Sequence, residues 1–302
     1  MFKRLFLGTT NVDFQKLGSR FYKIFILEFV LFTTIILSSL FGIFTLNLSV
    51  DFTGGTTYQL STTYTEDDIN DVLNNDILQV SRYQTFENSD TIIFRAIESS
   101  QEIETELLNY LSEKFNEATS EIDFQRVGPT FGQDITEKGI RALVIFITII
   151  ALLISIRYEY KYAFIALVAL LHDLLLTFSI YIVIGLEITP STIIALLTIL
   201  GYSLYDTVIL FDKLKDSQRT FKIGTLNKEV LNKTFNEVLM RSINTSLTSA
   251  IPIISIIFIG NYLGIEGNLS DFAIPLLIGI ISGTYSSIFV TVPFLSKIIK
   301  TN

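Results

Sequence analysis

Six apolar blocks, each long enough to cross a bilayer, constrain this chain more than any other feature. They are Phe21 to Leu46, Gly139 to Ile156, Tyr162 to Ile184, Thr189 to Phe211, Ile243 to Ile259 and Phe272 to Ile298. A hydrocarbon core offers peptide groups no water, so such blocks fold as helices that close their backbone hydrogen bonds internally. A large soluble core would disperse its apolar residues. Here 49% of 302 residues are hydrophobic, the mean hydropathy is +0.50, and the apolar residues are concentrated in these blocks. The chain reads as an α-helical membrane protein with six transmembrane helices, embedded in a lipid bilayer.

Basic residues set the orientation. The N-terminal segment, the turn 157–161, the stretch 212–241 and the C-terminal tail hold sixteen Lys and Arg, whereas the large loop after the first span holds five. Short loops rich in Lys and Arg stay cytoplasmic, which predicts cytoplasmic termini and a large loop on the outer side. The first block follows Lys3, Arg4, Lys16, Arg20 and Lys23 but is too long for a signal peptide and contains Glu28; it reads as an uncleaved first span. The expected organisation is a cytoplasmic segment 1–20, a first transmembrane helix 21–47, an extracytoplasmic domain 48–138, a five-helix bundle 139–298 with the cytoplasmic loop 212–241, and a tail 299–302. The net charge of −8 averages over unlike parts, and no basic run with interleaved aromatics points to nucleic acid. With no cysteine and one histidine, a structural zinc or iron–sulfur site is excluded, and no cofactor is expected.

The outer loop, Asp51 to Lys138, carries eighteen acids against five bases, a balance that suits a soluble domain. Gly55 to Thr62, Gln79 to Phe86, Asp90 to Ile97 and Glu121 to Val127 alternate as strands do. Thr65 with Asp68 makes a capping box before Ile69, Val72 and Leu73, and Ser99 or Ser100 caps a helix with Ile103, Leu107, Leu111 and Phe115 on one face. The order β-α-β-β-α-β predicts an α+β ferredoxin-like domain. Gly54 and Gly55, where the first span ends, read as punctuation or as a hinge.

Acids inside the spans are the leads to function. Asp206 lies six residues before Asp212, roughly 9 Å along a helix, and so sits within the hydrocarbon. Burying an acid near a helix centre costs about 2.5–3.5 kcal/mol, which is why such acids face a bundle interior, water or a partner. Tyr202 and Thr198 share its helical face. Arg241 begins the fifth span at similar depth, with Asn244, Thr245 and Thr248 continuing a polar stripe; it reads either as a positive-inside anchor or as a partner for Asp206. His172 and Asp173 lie mid-span in the third block. Adjacent helical residues point about 100° apart, so the two are not expected on one face. His172 reads as a hydrogen-bonded interior histidine, Asp173 as functional or structural, and Glu28 as an acid near enough to the interface to snorkel. Gly279 and Gly283 with Ser286 and Ser287 suit close helix packing. No nucleophile–base constellation or phosphate loop accompanies these residues, so an enzyme is not expected.

Taken together, the motifs resemble the SecF family of bacterial protein export, over nearly the whole chain. The stretch Asn47 to Thr56, which includes Asp51, Gly54 and Gly55, is similar to the family's close of the first span. Val127 to Gly132, with Gly128 and Pro129, is similar to its approach to the second. Arg157-Tyr158-Glu159, Leu171-His172-Asp173, Gly201 to Thr207, Asn236 to Ser246 and Gly283 to Ser287 follow in order, although Tyr205 stands where the family carries Asn. The resemblance implies a resistance-nodulation-division fold in which these six spans are half of a twelve-span unit. A SecD-like subunit would supply the other half, in the bacterial cytoplasmic membrane. It implies work with the Sec channel and its motor, drawing unfolded secreted chains outward with the proton motive force. Asp206 and Arg241 inherit the roles of proton site and cationic partner, with motion passed through Gly54 and Pro129 to the outer domain. A related half-transporter for lipids or small molecules, or a translocon assembly scaffold without transduction, would share much of this pattern.

Overall fold

The computed structural model describes residues 12–75, 80–86, 90–96, 100–220, 228–263 and 268–298. Gln79, Ile97, Ser99, the basic residues Lys3 and Arg4, Lys222 and the tail 299–302 lie outside the described residues.

The membrane part is built from α1 (Phe14–Leu40), α5 (Pro129–Arg157), α6 (Tyr160–Ile184), α7 (Pro190–Thr220), α8 (Lys228–Leu263) and α9 (Asn268–Tyr285); α9 continues through a π-helical turn, Ser286–Val290, into α10 (Thr291–Ile298). Six of these stretches are long and apolar enough to cross a membrane. Helices α6, α7 and α9 form the buried centre, with α1, α5 and α8 outside them. Much of the stretch 212–241 is helical, because α7 and α8 run on past the apolar blocks as far as Thr220 and from Lys228.

Local chemistry explains several ends. Asp13 caps α1 by accepting from the Lys16 amide at 3.1 Å, and the buried Asn236 amide of α8 both accepts from and donates to the backbone of Val12 at 2.9 Å. At the turn between α5 and α6, Arg157 donates to Asp212 at 2.8 Å and the Tyr158 hydroxyl donates to the same carboxylate. Burial, and then the bond to Asp212, pushes the Tyr158 phenol up to about 12.

Close approach of α9 to α7 depends on glycine. A Cβ on Gly279 would overlap the Ile199 side chain, and one on Gly283 would stand 2.9 Å from Ser203 Cβ. Gly283→Ala is therefore expected to cost about 1–3 kcal/mol through overpacking. Gly201→Ala, where nothing lies within 4 Å of the added carbon, is expected to cost far less. Thermal unfolding of the two variants in detergent checks the contrast.

Between α1 and α5 the chain forms β1 (Asn47–Leu48), α2 (Val50–Thr53), β2 (Gly55–Ser61), α3 (Glu66–Leu73), β3 (Val80–Phe86), β4 (Thr91–Ala96), α4 (Gln101–Phe115) and β5 (Asp123–Val127). The four longer strands form one antiparallel sheet in the order β3-β4-β2-β5, with Tyr58 opposite both Phe94 and Phe124. One face, carrying Tyr58, Leu60, Ile92 and Phe94, packs on Ile69 and Val72 of α3 and on Leu107 and Leu111 of α4. The Thr65/Asp68 capping box is present, and Ser100 caps α4 by accepting from the Ile103 amide.

Among the described residues, a short strand pairing and an ion pair help tie the domain to the membrane part, and α2 packs on α5, where a Cβ on Gly132 would stand 2.5 Å from the Phe52 carbonyl oxygen. β1 pairs in parallel with β6 (Glu187–Ile188), a two-residue bridge that sequence patterning does not reveal, since each strand lies in an interhelical turn. Arg95, on β4, forms an ion pair with Glu187; burial pushes that carboxyl up while Arg95 opposes the rise. Gly54 (φ 75°) and Gly55 (φ 135°) turn the chain from α2 into β2, and a Cβ on Gly55 would meet the Ala96 carbonyl oxygen at 2.5 Å. Both are φ values that glycine adopts without a side-chain clash. Asp51, in the first turn of α2, accepts from the Ser49 hydroxyl at 3.2 Å. Gly128 caps α5, and Pro129 opens it where a proline's missing N–H costs nothing.

Candidate functional site

Helix α7 carries Asp206 into the bundle, where the residue is 2% exposed and its Oδ2 has no hydrogen-bond partner. Ser242, on α8, is a close hydroxyl neighbour of the acid, but its Oγ and Asp206 Oδ2 do not reach hydrogen-bond geometry. Unsatisfied buried polar atoms are uncommon because each forfeits its hydration without return, so this pair marks a place where the chain leaves a buried acid incompletely hydrogen-bonded. Nothing in the residue pattern singled out Ser242; its position one residue after Arg241 was the available signal.

The neighbouring cation is turned aside. Arg241 Nη2 donates to the Tyr205 hydroxyl at 3.0 Å, and the guanidinium lies 5.7 Å from the centre of that ring. No ion pair within 4 Å joins Arg241 to Asp206. Direct pairing, which sequence allowed, is therefore absent from this conformation. The physical reason is the residue before the acid: a phenol extends further than the amide of Asn and offers both an oxygen acceptor and a π face to the guanidinium.

Around the acid, the polar residues divide between inside and outside. Tyr202 donates to Ser249 at 3.1 Å and joins α7 to α8. Tyr205, Arg241, Asn244 and Thr248 are exposed on the surface of this chain, at the depth of the membrane spans. Thr248 satisfies its hydroxyl on the backbone of Asn244 and Thr245.

A second acid is handled differently. Asp173 on α6, 1% exposed, accepts at Oδ2 from Ser203 (2.6 Å) and Ser286 (2.8 Å) and at Oδ1 from Ser282. Ser286 belongs to the π-helical turn, whose widened ring brings its hydroxyl onto the carboxylate. His172 is fully buried. Its Nδ1 lies 3.5 Å from Asp173 Oδ1 and its Nε2 lies 3.4 Å from Glu28 Oε2, and neither nitrogen meets hydrogen-bond geometry. Three expectations change. His172 is interior but makes no hydrogen bond; its Nδ1 nevertheless comes within 3.5 Å of the adjacent Asp173 Oδ1; and Glu28 reaches inward to accept from Tyr285 at 2.9 and 3.0 Å instead of snorkelling.

Fold and site together define a multi-pass membrane protein with an α+β domain at one end and acids buried in its bundle. Residues 108–301 match the family model for the protein export membrane protein SecD/SecF, C-terminal, and residues 39–63 match that for the SecD/SecF GG motif. The chain belongs to the SecD/SecF family of protein export membrane proteins. The protein translocase subunit SecF of Thermodesulfovibrio yellowstonii is 32% identical over 296 residues, 95% of this chain and 94% of that protein. That of Streptomyces coelicolor is 39% identical over 190 residues, 62% of this chain and 51% of that protein. With the Mycobacterium tuberculosis subunit, 46% identical over 171 residues, the match spans only 39% of the relative. Several curated relatives are thus matched over about half their length or less. Among solved structures, SecDF, a translocon-associated membrane protein from Thermus thermophilus, superposes with a TM-score of 0.81 at 25% identity over 96% of this chain and 39% of that one.

Proposed function

We propose that this chain is the SecF-type half of a SecD/SecF complex that uses the proton motive force to assist Sec-dependent protein translocation. One observation carries the reading. Asp206 is buried in a membrane span with an unpartnered oxygen, beside a polar face of Tyr205, Arg241, Asn244 and Thr248 that leaves this chain at membrane depth. Polar side chains facing lipid are costly. A second membrane subunit covering that face removes the cost and encloses the acid. Protonation of Asp206 and movement of Arg241 between the carboxylate and Tyr205 are then alternating states of one switch, since an ionised carboxylate attracts the guanidinium and a protonated one releases it to the hydroxyl and π face of the neutral phenol.

The rest of the assignment follows from this arrangement. The domain between α1 and α5 is of ferredoxin-like type, supported by its βαββαβ order and the sheet order β3-β4-β2-β5. It stands on the outer side of the cytoplasmic membrane, with both termini inside, and grips unfolded secreted polypeptide as it emerges from the Sec channel and its motor. Gly54, Gly55, Gly128 and Pro129, at the two strands of chain entering and leaving the domain, are its hinge residues. The subunit transduces force without catalysing a covalent reaction, and the proton gradient stands in place of a cofactor. The cavity where the domain meets the bundle has a mixed lining, charged at Arg82, Arg95, Glu187 and Asp271 and apolar at Ile93, Leu186, Ile257 and Ile274, in place of the mainly apolar pocket that carriage of a lipid calls for.

The chain has no native cysteine, so Asn244→Cys or Thr248→Cys introduces a single thiol on the proposed interface. Paired with single cysteines scanned along the SecD-like subunit's spans in intact membranes, each is expected to give a crosslinked heterodimer. A face that reacts only with lipid-phase thiol reagents, with no partner recovered by gentle extraction, would remove the basis of this reading.

A further inference from the structure

We propose that the cavity between the α+β domain and the bundle binds a zwitterionic phosphate ester, the phosphoethanolamine headgroup of a membrane phospholipid, with Arg82 holding the phosphate and Glu187 and Asp271 the ammonium. The site goes beyond the proposed function and does not depend on proton coupling.

Strand register places two like charges side by side. Arg82 on β3 stands opposite Arg95 on β4. Both line the cavity, on the sheet face turned away from Ile92 and Phe94. Like charges directly opposite each other on neighbouring strands are destabilising, and an anion between them removes the cost. Glu187 does so for one: its carboxylate pairs with Arg95, which also donates to Gln84 at 3.2 Å. Arg82 keeps Nη1 buried without a hydrogen bond. A guanidinium N–H taken out of water without an acceptor forfeits its hydration, and a phosphate oxygen matches it in charge and geometry.

The acceptor side is incomplete as well. Glu187 Oε1 is buried with no partner, while Oε2 is taken by Arg95. Asp271, in the first turn of α9, lines the same cavity. An ammonium N–H fills an open carboxylate oxygen. Charge then decides between a simple anion and a zwitterion. The lining carries two arginines and two acids among the described residues, so a ligand of no net charge keeps the balance, whereas a lone phosphate adds negative charge beside Glu187 and Asp271.

Position decides for a headgroup. Ile257 on α8 and Ile274 on α9 form an apolar part of the wall and belong to membrane spans, whereas Arg82 and Arg95 belong to the domain. The site straddles the level at which a phospholipid's headgroup meets its chains. Its volume, about 290 Å³, lies near the lower end of ligand pockets, about 300–1,000 Å³, and admits a headgroup while the acyl chains stay in the bilayer. Holding a headgroup in this way differs from carrying a lipid, whose chains need a mainly apolar pocket.

The complex with its partner, stripped of lipid in detergent, is titrated with short-chain phosphatidylethanolamine, phosphatidylcholine and phosphatidylglycerol, with soluble glycerophosphoethanolamine and with inorganic phosphate, and bound ligand is counted by native mass spectrometry. Phosphatidylethanolamine is expected to bind most tightly. Phosphatidylcholine, whose trimethylated ammonium has no N–H to donate, and phosphatidylglycerol, which has no cation, are expected to bind about tenfold or more weakly. Soluble glycerophosphoethanolamine that binds as tightly as the lipid assigns the affinity to the headgroup alone, and weaker binding of that ester assigns part of it to chains against Ile257 and Ile274; both outcomes uphold the site. Arg82→Gln, with its folding checked by thermal unfolding, is expected to lower the affinity about tenfold or more. Arg141→Gln, which removes a cation of α5 outside the cavity, is expected to leave it unchanged. Equal binding of the three lipids, tighter binding of inorganic phosphate than of the zwitterion, or unchanged affinity in Arg82→Gln overturns the proposal.

Discussion

Asp206→Asn is expected to insert, assemble with its partner and support the ATP-driven step of export, while losing essentially all of the extra stimulation provided by a proton gradient. The substitution keeps the shape of the side chain and removes its capacity to exchange a proton. Its effect on folding is expected to be neutral or favourable. A neutral amide costs less to bury than a carboxylate, and its N–H can donate to Ser242, whose hydroxyl has no partner in the present arrangement. The combination of normal or raised thermal stability with lost function distinguishes a functional acid from a structural one. Each charge moved through the field gains about 2.3 kcal/mol per 100 mV, so the missing work scales with the imposed potential, and raising external pH does not restore it. Inverted vesicles with and without a gradient give the measurement. Full gradient-dependent export by a normally assembled Asn variant would make Asp206 structural and bring forward the scaffold role.

The second large effect concerns stability. Phe94 is fully buried at the centre of the four-stranded sheet, opposite Tyr58 and 6.0 Å from the ring of Phe115. Phe94→Ala is expected to cost about 3–5 kcal/mol, because it removes a whole ring and leaves a cavity that the sheet cannot collapse. Domains hold only about 0.05–0.15 kcal/mol of stability per residue, so for residues 54–128 expressed alone this loss is much of the total. Tyr83→Ala, at a position 46% exposed, is expected to stay within about 0.5 kcal/mol in the isolated domain. Denaturant titration followed by circular dichroism compares them, and a non-cooperative transition in the parent domain would defeat the comparison.

The α+β domain was legible because its signals are local. The capping box at Thr65 and Asp68 lies within four residues, and the spacing of Leu107 and Leu111 or the alternation through Tyr58 and Leu60 reports which side is buried whatever packs there. Its attachment was not legible: the β1–β6 bridge and the Arg95–Glu187 ion pair join residues far apart in the chain, and two-residue strands carry no periodicity.

The membrane acids show the same division. Composition and length alone determined that Asp206, Asp173 and His172 lie within spans, since no soluble arrangement accommodates six such apolar blocks. Their partners were decided in three dimensions. Arg241 goes to Tyr205 because a phenol one residue from the acid can reach it, and Asp173 collects serines from α7, α9 and the π-helical turn because glycines at 279 and 283 let those helices approach. Sequence by itself determined which residues enter the membrane and which faces are polar, because those follow from hydration and helical period. Only the tertiary structure decided which acid is satisfied and which keeps an oxygen without a partner, because hydrogen bonding depends on distances of a few ångströms between helices that the chain order does not specify.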